Sequence, residues 1–186
     1  VRDATELQGL GVATIAIGLI GAVLGSLIRS AARWLQPVVD RRRLLLTPLL
    51  GAAVAVCAIV FDLVTDRGPA QVLFSGESAL APLIQQADSW TVGALSLLVL
   101  TKSLAYACSL SSFRGGPTFP AMFIGAAVGV ALSHLPGLPM VAGVAMGIGA
   151  MAVTMLRLPL TSVLLTVLFL QSDGVTLMPL VIVSVV

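Results

Sequence analysis

Residues 8–35 read QGLGVATIAIGLIGAVLGSLIRSAARWL, and the first charged side chain in that run is Arg29. A helix of this length, at about 1.5 Å per residue, exceeds a bilayer core of about 30 Å and is expected to tilt. The rest of the chain is no more polar: of 186 residues 58% are hydrophobic and only 10% charged, giving a mean hydropathy of +1.09. A soluble domain of this size needs more polar surface than that. The composition therefore excludes a water-soluble globule and predicts an all-α, polytopic membrane protein.

Apolar runs and their punctuation divide the chain. Spans are expected at about 8–35, 44–64 and 90–110, with a short helix at 74–86 that does not cross. Ser75 or Ser78 is the expected cap of the short helix, and Asp88 or Ser89 that of the span after it. Shorter apolar pieces follow at about 119–135, 138–156, 159–170 and 175–186, separated by Pro, Gly or a single charge. Serial short helices of this kind read as the broken helices of a transporter rather than as a bundle with proline kinks. Gly18, Gly21 and Gly25 place small residues where a neighbouring helix approaches closely.

The formal charge of +2 is too small to suggest nucleic acid, but its distribution is informative. Arg29, Arg33, Arg41, Arg42 and Arg43 gather at and just beyond the end of the first run, which marks a cytoplasmic face. Trp34 adds an interfacial anchor. Cys57 and Cys108 lie in apolar runs without CxxC or Cys/His companions and read as packing thiols. His134, the single histidine, reads as an interfacial or capping residue. Asp62 has no second aspartate in the spans, so neither an intramembrane enzyme nor a metal or cofactor site is expected. The chain opens on Val1 and stops at Val186 inside an apolar run, and the expectation is a segment of a larger polypeptide.

The stretch SSFRGGPTFP, residues 111–120, breaks this pattern most sharply. Gly115 and Gly116 permit close approach and unusual backbone angles. Pro117 suits the first turn of a helix, where its missing N–H costs nothing. The unit reads either as a tight turn between helices or as a helix N-terminus presented inside the membrane. In the second case unpaired N–H groups and the positive end of the helix dipole make an anion site. Thr118 and Phe119 would supply the N–H groups, and Arg114 would raise the potential nearby. A cation site would want carboxylates, and the stretch has none.

This stretch resembles the CLC family of chloride channels and proton-coupled chloride transporters. The family's Gly-x-Phe-x-Pro motif, preceded by a glycine, corresponds to GGPTFPAMFIGAAVG, with Gly115, Gly116, Pro120 and the Gly125-Ala126 pair matching. FSGESAL, the Lys102-bearing run LTKSLAYACSLSS, and GIGAMAVTMLRLPLTSVLLTVLFL over 147–170 follow in family order. The resemblance implies the second of the family's two inverted repeats and an anion bound at Gly115, Gly116, Thr118 and Phe119. It also implies chloride as the transported ligand and a multi-pass protein among membrane lipids, expected in the plasma (inner) membrane. Family members are dimers, which implies a homodimer formed through about 159–186. This sequence departs from the family in carrying Thr118 at the phenylalanine position, and Pro117 has no N–H to offer. The serine and gating glutamate that the family's first repeat supplies have no counterpart here, nor does an internal proton-relay glutamate. Glu77 reads as a helix-end residue, while Lys102 and Arg157 are left to snorkel, to pair with helix C-termini or to line an aqueous vestibule.

Overall fold

A computed structural model describes residues 4–113, 115–135 and 137–186. Nine α-helices occupy them, with no strand among the described residues. They are α1 Ala4–Arg41, α2 Arg43–Thr65, α3 Ala70–Leu73, α4 Glu77–Gln85, α5 Val92–Ser112, α6 Thr118–Ser133, α7 Met140–Leu156, α8 Pro159–Leu170 and α9 Ser172–Val185. Three stretches are long and apolar enough to cross a membrane, Gly11–Arg41, Arg43–Thr65 and Val92–Ser112. Helix α1 outruns the expected 8–35 because it continues through Pro37 to Arg41. The 74–86 region is preceded by an extra single turn, α3, set off by Pro69 at its N-cap.

Two of the shorter helices, α6 and α7, form the core. Every residue of α6 from Ala121 to Val130 and of α7 from Ala142 to Ala152 is buried. Their sequences carry GAAVG at 125–129 and GVAMG at 143–147, and the glycines meet in antiparallel order. A Cβ on Gly125 would lie 2.2 Å from the Gly147 carbonyl oxygen, and one on Gly129 would lie 2.3 Å from that of Gly143. Small residues four apart are what let helix backbones touch in lipid, where burial of apolar surface gives no net drive.

The long helices wrap this pair. The glycine stripe of α1 lies against α7 and α9: a Cβ on Gly21 would meet Ala150, one on Gly25 would meet Thr154, and one on Gly18 would face the Ser184 carbonyl. Arg29 of α1 donates to the Thr154 carbonyl at 2.8 Å, in the last turn of α7, where a cation suits the helix dipole. Trp34 is largely exposed. Helix α2 buries only Ala58 and Phe61, and its exposed Leu44, Leu49, Ile59 and Leu63 are side chains that lipid, not water, accommodates.

The helix ends correct the expected caps. The N-cap of α4 is Gly76, not a serine, and Ser75 Oγ instead accepts from the Glu77 N–H. Gly76 sits at φ +88 with Phe123 packed so close that a Cβ would lie 2.6 Å from its ring, so both conformation and space demand glycine. Helix α5 is capped by Thr91, whose hydroxyl accepts from the Ala94 N–H at 3.2 Å. Ser89 turns back to the Gln86 carbonyl, and Asp88 lies with it in a 3-10 turn ahead of that cap. His134 is the C-cap of α6, its Nδ1 2.9 Å from the Val130 carbonyl. Cys57 and Cys108 are both free and half-buried.

Replacing Gly125 by Val is expected to destabilise the protein by about 1–3 kcal/mol or more, through overpacking against α7. Gly51, whose Cβ would meet nothing within 4 Å, should accept Ala with no loss. Thermal unfolding of both variants in detergent checks the contrast.

Candidate functional site

Between α5 and α6 the backbone leaves the helical pattern, at a break where Ser111 is buried and Phe113, Gly115 and Gly116 are exposed. Helix α5 ends at Ser112, Phe113 is extended, and its N–H still bonds the Ser109 carbonyl at 2.7 Å. The Gly115 N–H turns back to the Phe113 carbonyl at 3.0 Å. Helix α6 then starts at Thr118 with Pro117 as N-cap and no side-chain cap. First-turn N–H groups of a helix have no intrahelical acceptor. Prolines at 117 and 120 cannot donate, so Thr118 and Phe119 hold the donors of that turn.

Beside this end lies a cavity of about 190 Å³. Gly115, Gly116 and Pro120 form one side, and Lys102, Tyr106 and Ser109 of α5 form another. The segment Val72–Ser75 closes it from above α5. Thr118 and Phe119 are not among the lining residues; Thr118 is half-buried and Phe119 partly exposed. Arg114 lies outside the described residues. Neither Gly115 nor Gly116 has a left-handed φ, and a Cβ on either would meet nothing within 4 Å. Their contribution is therefore the open space that a side chain would occupy, not an unusual backbone angle.

Two side chains of α5 organise the cavity. Tyr106 is buried, and its hydroxyl donates to the Pro117 carbonyl at 2.9 Å, pinning the N-cap of α6. Lys102 is 2% exposed. Its Nζ donates to the carbonyls of Gln71 at 2.9 Å, Val72 at 3.1 Å and Phe74, and sits 5.1 Å from the centre of the Phe123 ring. Of the three roles left open for Lys102, snorkelling is excluded by its burial. Pairing with a helix C-terminus is observed, since these carbonyls close the single turn of α3, and the same side chain also lines the cavity. Arg157 is instead the C-cap of α7, exposed and left-handed at φ +57.

Sequence reasoning passed over Tyr106, although the signal was present. Lys102, Tyr106 and Ser109 recur at helical spacing on α5, the four- and three-residue steps that put side chains on one face. Glu77, by contrast, is an exposed first-turn residue of α4 and does not line the cavity. Its carboxylate suits the positive end of that helix.

The family model described as voltage gated chloride channel matches residues 3–186. Searches of curated proteins and of solved structures return no match.

Tyr106→Phe removes one buried hydrogen bond and is expected to cost about 1 kcal/mol of stability. Hydrogen exchange at Thr118 and Phe119 should quicken while α7 stays protected, which peptide-resolved mass spectrometry reads directly.

Proposed function

The chain belongs to the voltage gated chloride channel family, and we propose that it conducts chloride through a pathway passing the N-terminal end of α6. It is an integral membrane protein, and the family supports a chloride-transport role. The observation that carries the proposed site is the cavity bounded by Gly115, Gly116 and Pro120, next to first-turn N–H groups that need an acceptor. Chloride entering there sheds part of its water, and the backbone donors of Thr118 and Phe119 replace it. Arg114, next in sequence to Gly115, adds positive charge to the same short stretch.

Whether the pathway is a channel or exchanges chloride for protons is decided by following chloride and proton movement together. The reading calls for no catalytic residue, metal or cofactor, so the protein is not an enzyme in this account. The order of motifs along the chain supports its place as the second inverted repeat, with an N-terminal repeat of the same polypeptide completing the pathway. A homodimer through about 159–186 is supported by the exposed stripe of Leu160, Leu164 and Leu168 on α8, continued by Val175 and Ile182 on α9. The Arg29–Arg43 cluster supports orientation in the plasma membrane with that end in the cytoplasm.

Liposomes carrying the full-length protein, followed for chloride efflux and proton movement together, test this. Chloride efflux without coupled protons is expected, and Gly116→Val, which fills the cavity, should cut the rate at least about tenfold, equivalent to roughly 1.4 kcal/mol on the barrier. Stoichiometric proton counter-movement would make the protein an antiporter. No passage of any halide by folded protein would remove the anion pathway altogether.

A further inference from the structure

Lys102 has more to explain than its hydrogen bonds. A cation this buried is costly unless charge or dipoles compensate it. Among the described residues the one ion pair is Asp40–Arg43, exposed at the end of α1, so no carboxylate neutralises Lys102. Its partners are three backbone carbonyls and the face of Phe123. Three carbonyl acceptors call for three N–H donors, which only the ammonium form possesses; a neutral amine has two. Three carbonyl acceptors suit the ammonium form, and with it a positive charge, at the cavity wall.

That charge is also locked in place. The carbonyls of Gln71, Val72 and Phe74 hold it on one side, and the ring of Phe123 underlies it. Phe123 in turn is packed against Gly76, the residue that lets the 74–76 segment turn over it. With all three donors committed, the ammonium has none left for an incoming ion. What it offers the cavity is a field, and a charge held out of bulk water is screened less than an exposed one. The remaining polar lining, from Ser75, Tyr106 and Ser109, is neutral.

We propose that Lys102 is the fixed charge that sets the cavity's affinity for small anions, acting through its field on an ion held at the α6 end without ligating it. This deepens the chloride-pathway reading and rests on it. Lys102 is in this sense a positioning residue twice over, holding the 71–74 segment as the cavity's wall and biasing the space behind it against cations.

The test is chloride titration by calorimetry of the full-length protein in detergent, alongside flux in liposomes. Lys102→Gln keeps two N–H donors and loses the charge, and Lys102→Met loses both; Lys102→Arg keeps charge and donors. Both neutral variants are expected to bind chloride about tenfold more weakly or worse, a difference of about 1.4 kcal/mol, with Lys102→Arg within about threefold of the parent, under about 0.7 kcal/mol by the same relation. Ser109→Lys placed in the Lys102→Gln background returns a cation to the cavity without restoring the carbonyl contacts, and should recover most of the affinity. If Lys102→Gln folds and binds chloride as the parent does, or if its loss is not recovered by Ser109→Lys, the residue is a structural clamp and the inference fails while the pathway stands. A parent protein that neither binds nor passes chloride removes the pathway and this inference with it.

Discussion

Backbone contact between α6 and α7 is the constraint on which the other elements depend. Four glycines at 125, 129, 143 and 147 bring the two helices so close that a single methyl group would collide with the opposite carbonyl. In lipid, no difference in hydrophobicity would otherwise hold two apolar helices together, so fit and close dispersion contact have to. Once this pair is set, α1 seats its own glycines along α7, and α5 crosses α6 through Tyr106 and Ala121. The start of α6 is then no longer free to move with the loop before it. A helix end held rigid from behind can present its N–H groups at a constant place, which is what a binding end requires.

The cavity is consequently assembled from segments distant in sequence. Residues 72–75, 102–110 and 115–120 contribute to it, and the ties between them run through side chains of α5. Tyr106 holds the N-cap of α6 and Lys102 holds the end of α3. Helix α5 is thus both a span and a bracket. Its outward face, with Leu100 and Leu104 exposed, meets lipid, while the opposite face carries the polar groups. The division explains how one helix can be apolar enough to cross the membrane and still contain a buried lysine.

Much of this fold is legible in the sequence because lipid imposes simple rules. Long apolar runs must be helical to satisfy their own backbone, and Gly and Pro interrupt them visibly, as at Gly68-Pro69 and Gly115–Pro117. Capping was less legible: Ser75, Ser78, Asp88 and Ser89 have the right chemistry, yet Gly76 and Thr91 hold the positions. The reason is tertiary. Phe123 leaves no room for a side chain at 76, and nothing local to 74–78 announces it. The same applies to the site. The helix break at 111–120 was readable from composition, whereas the roles of Tyr106 and Lys102 depend on what α5 faces. Their shared helical face was visible, but a lone tyrosine and a lone lysine do not declare their partners. Gly115 and Gly116 were read as permitting unusual backbone angles or close approach; neither has a left-handed φ, and the open space beside them fits the second reading.

Several hydroxyls of the spans bond within their own helix. Thr101 bonds the Leu97 carbonyl, Ser162 that of Leu158 and Thr166 that of Ser162, each closing onto its own helix one turn back. Such groups ask nothing of their surroundings and can sit anywhere in a membrane helix. Lys102 and Tyr106, like Arg29, instead reach out of their helix to a backbone carbonyl at the end of another. Carbonyls and N–H groups at helix ends are the backbone groups that a bilayer cannot leave unmet. Around the cavity the carbonyl end of α3 is met by a cation, while the N–H end of α6 has no side-chain cap. On the proposed chloride pathway, an uncapped N–H end beside the cavity suits an ion that brings negative charge and accepts hydrogen bonds.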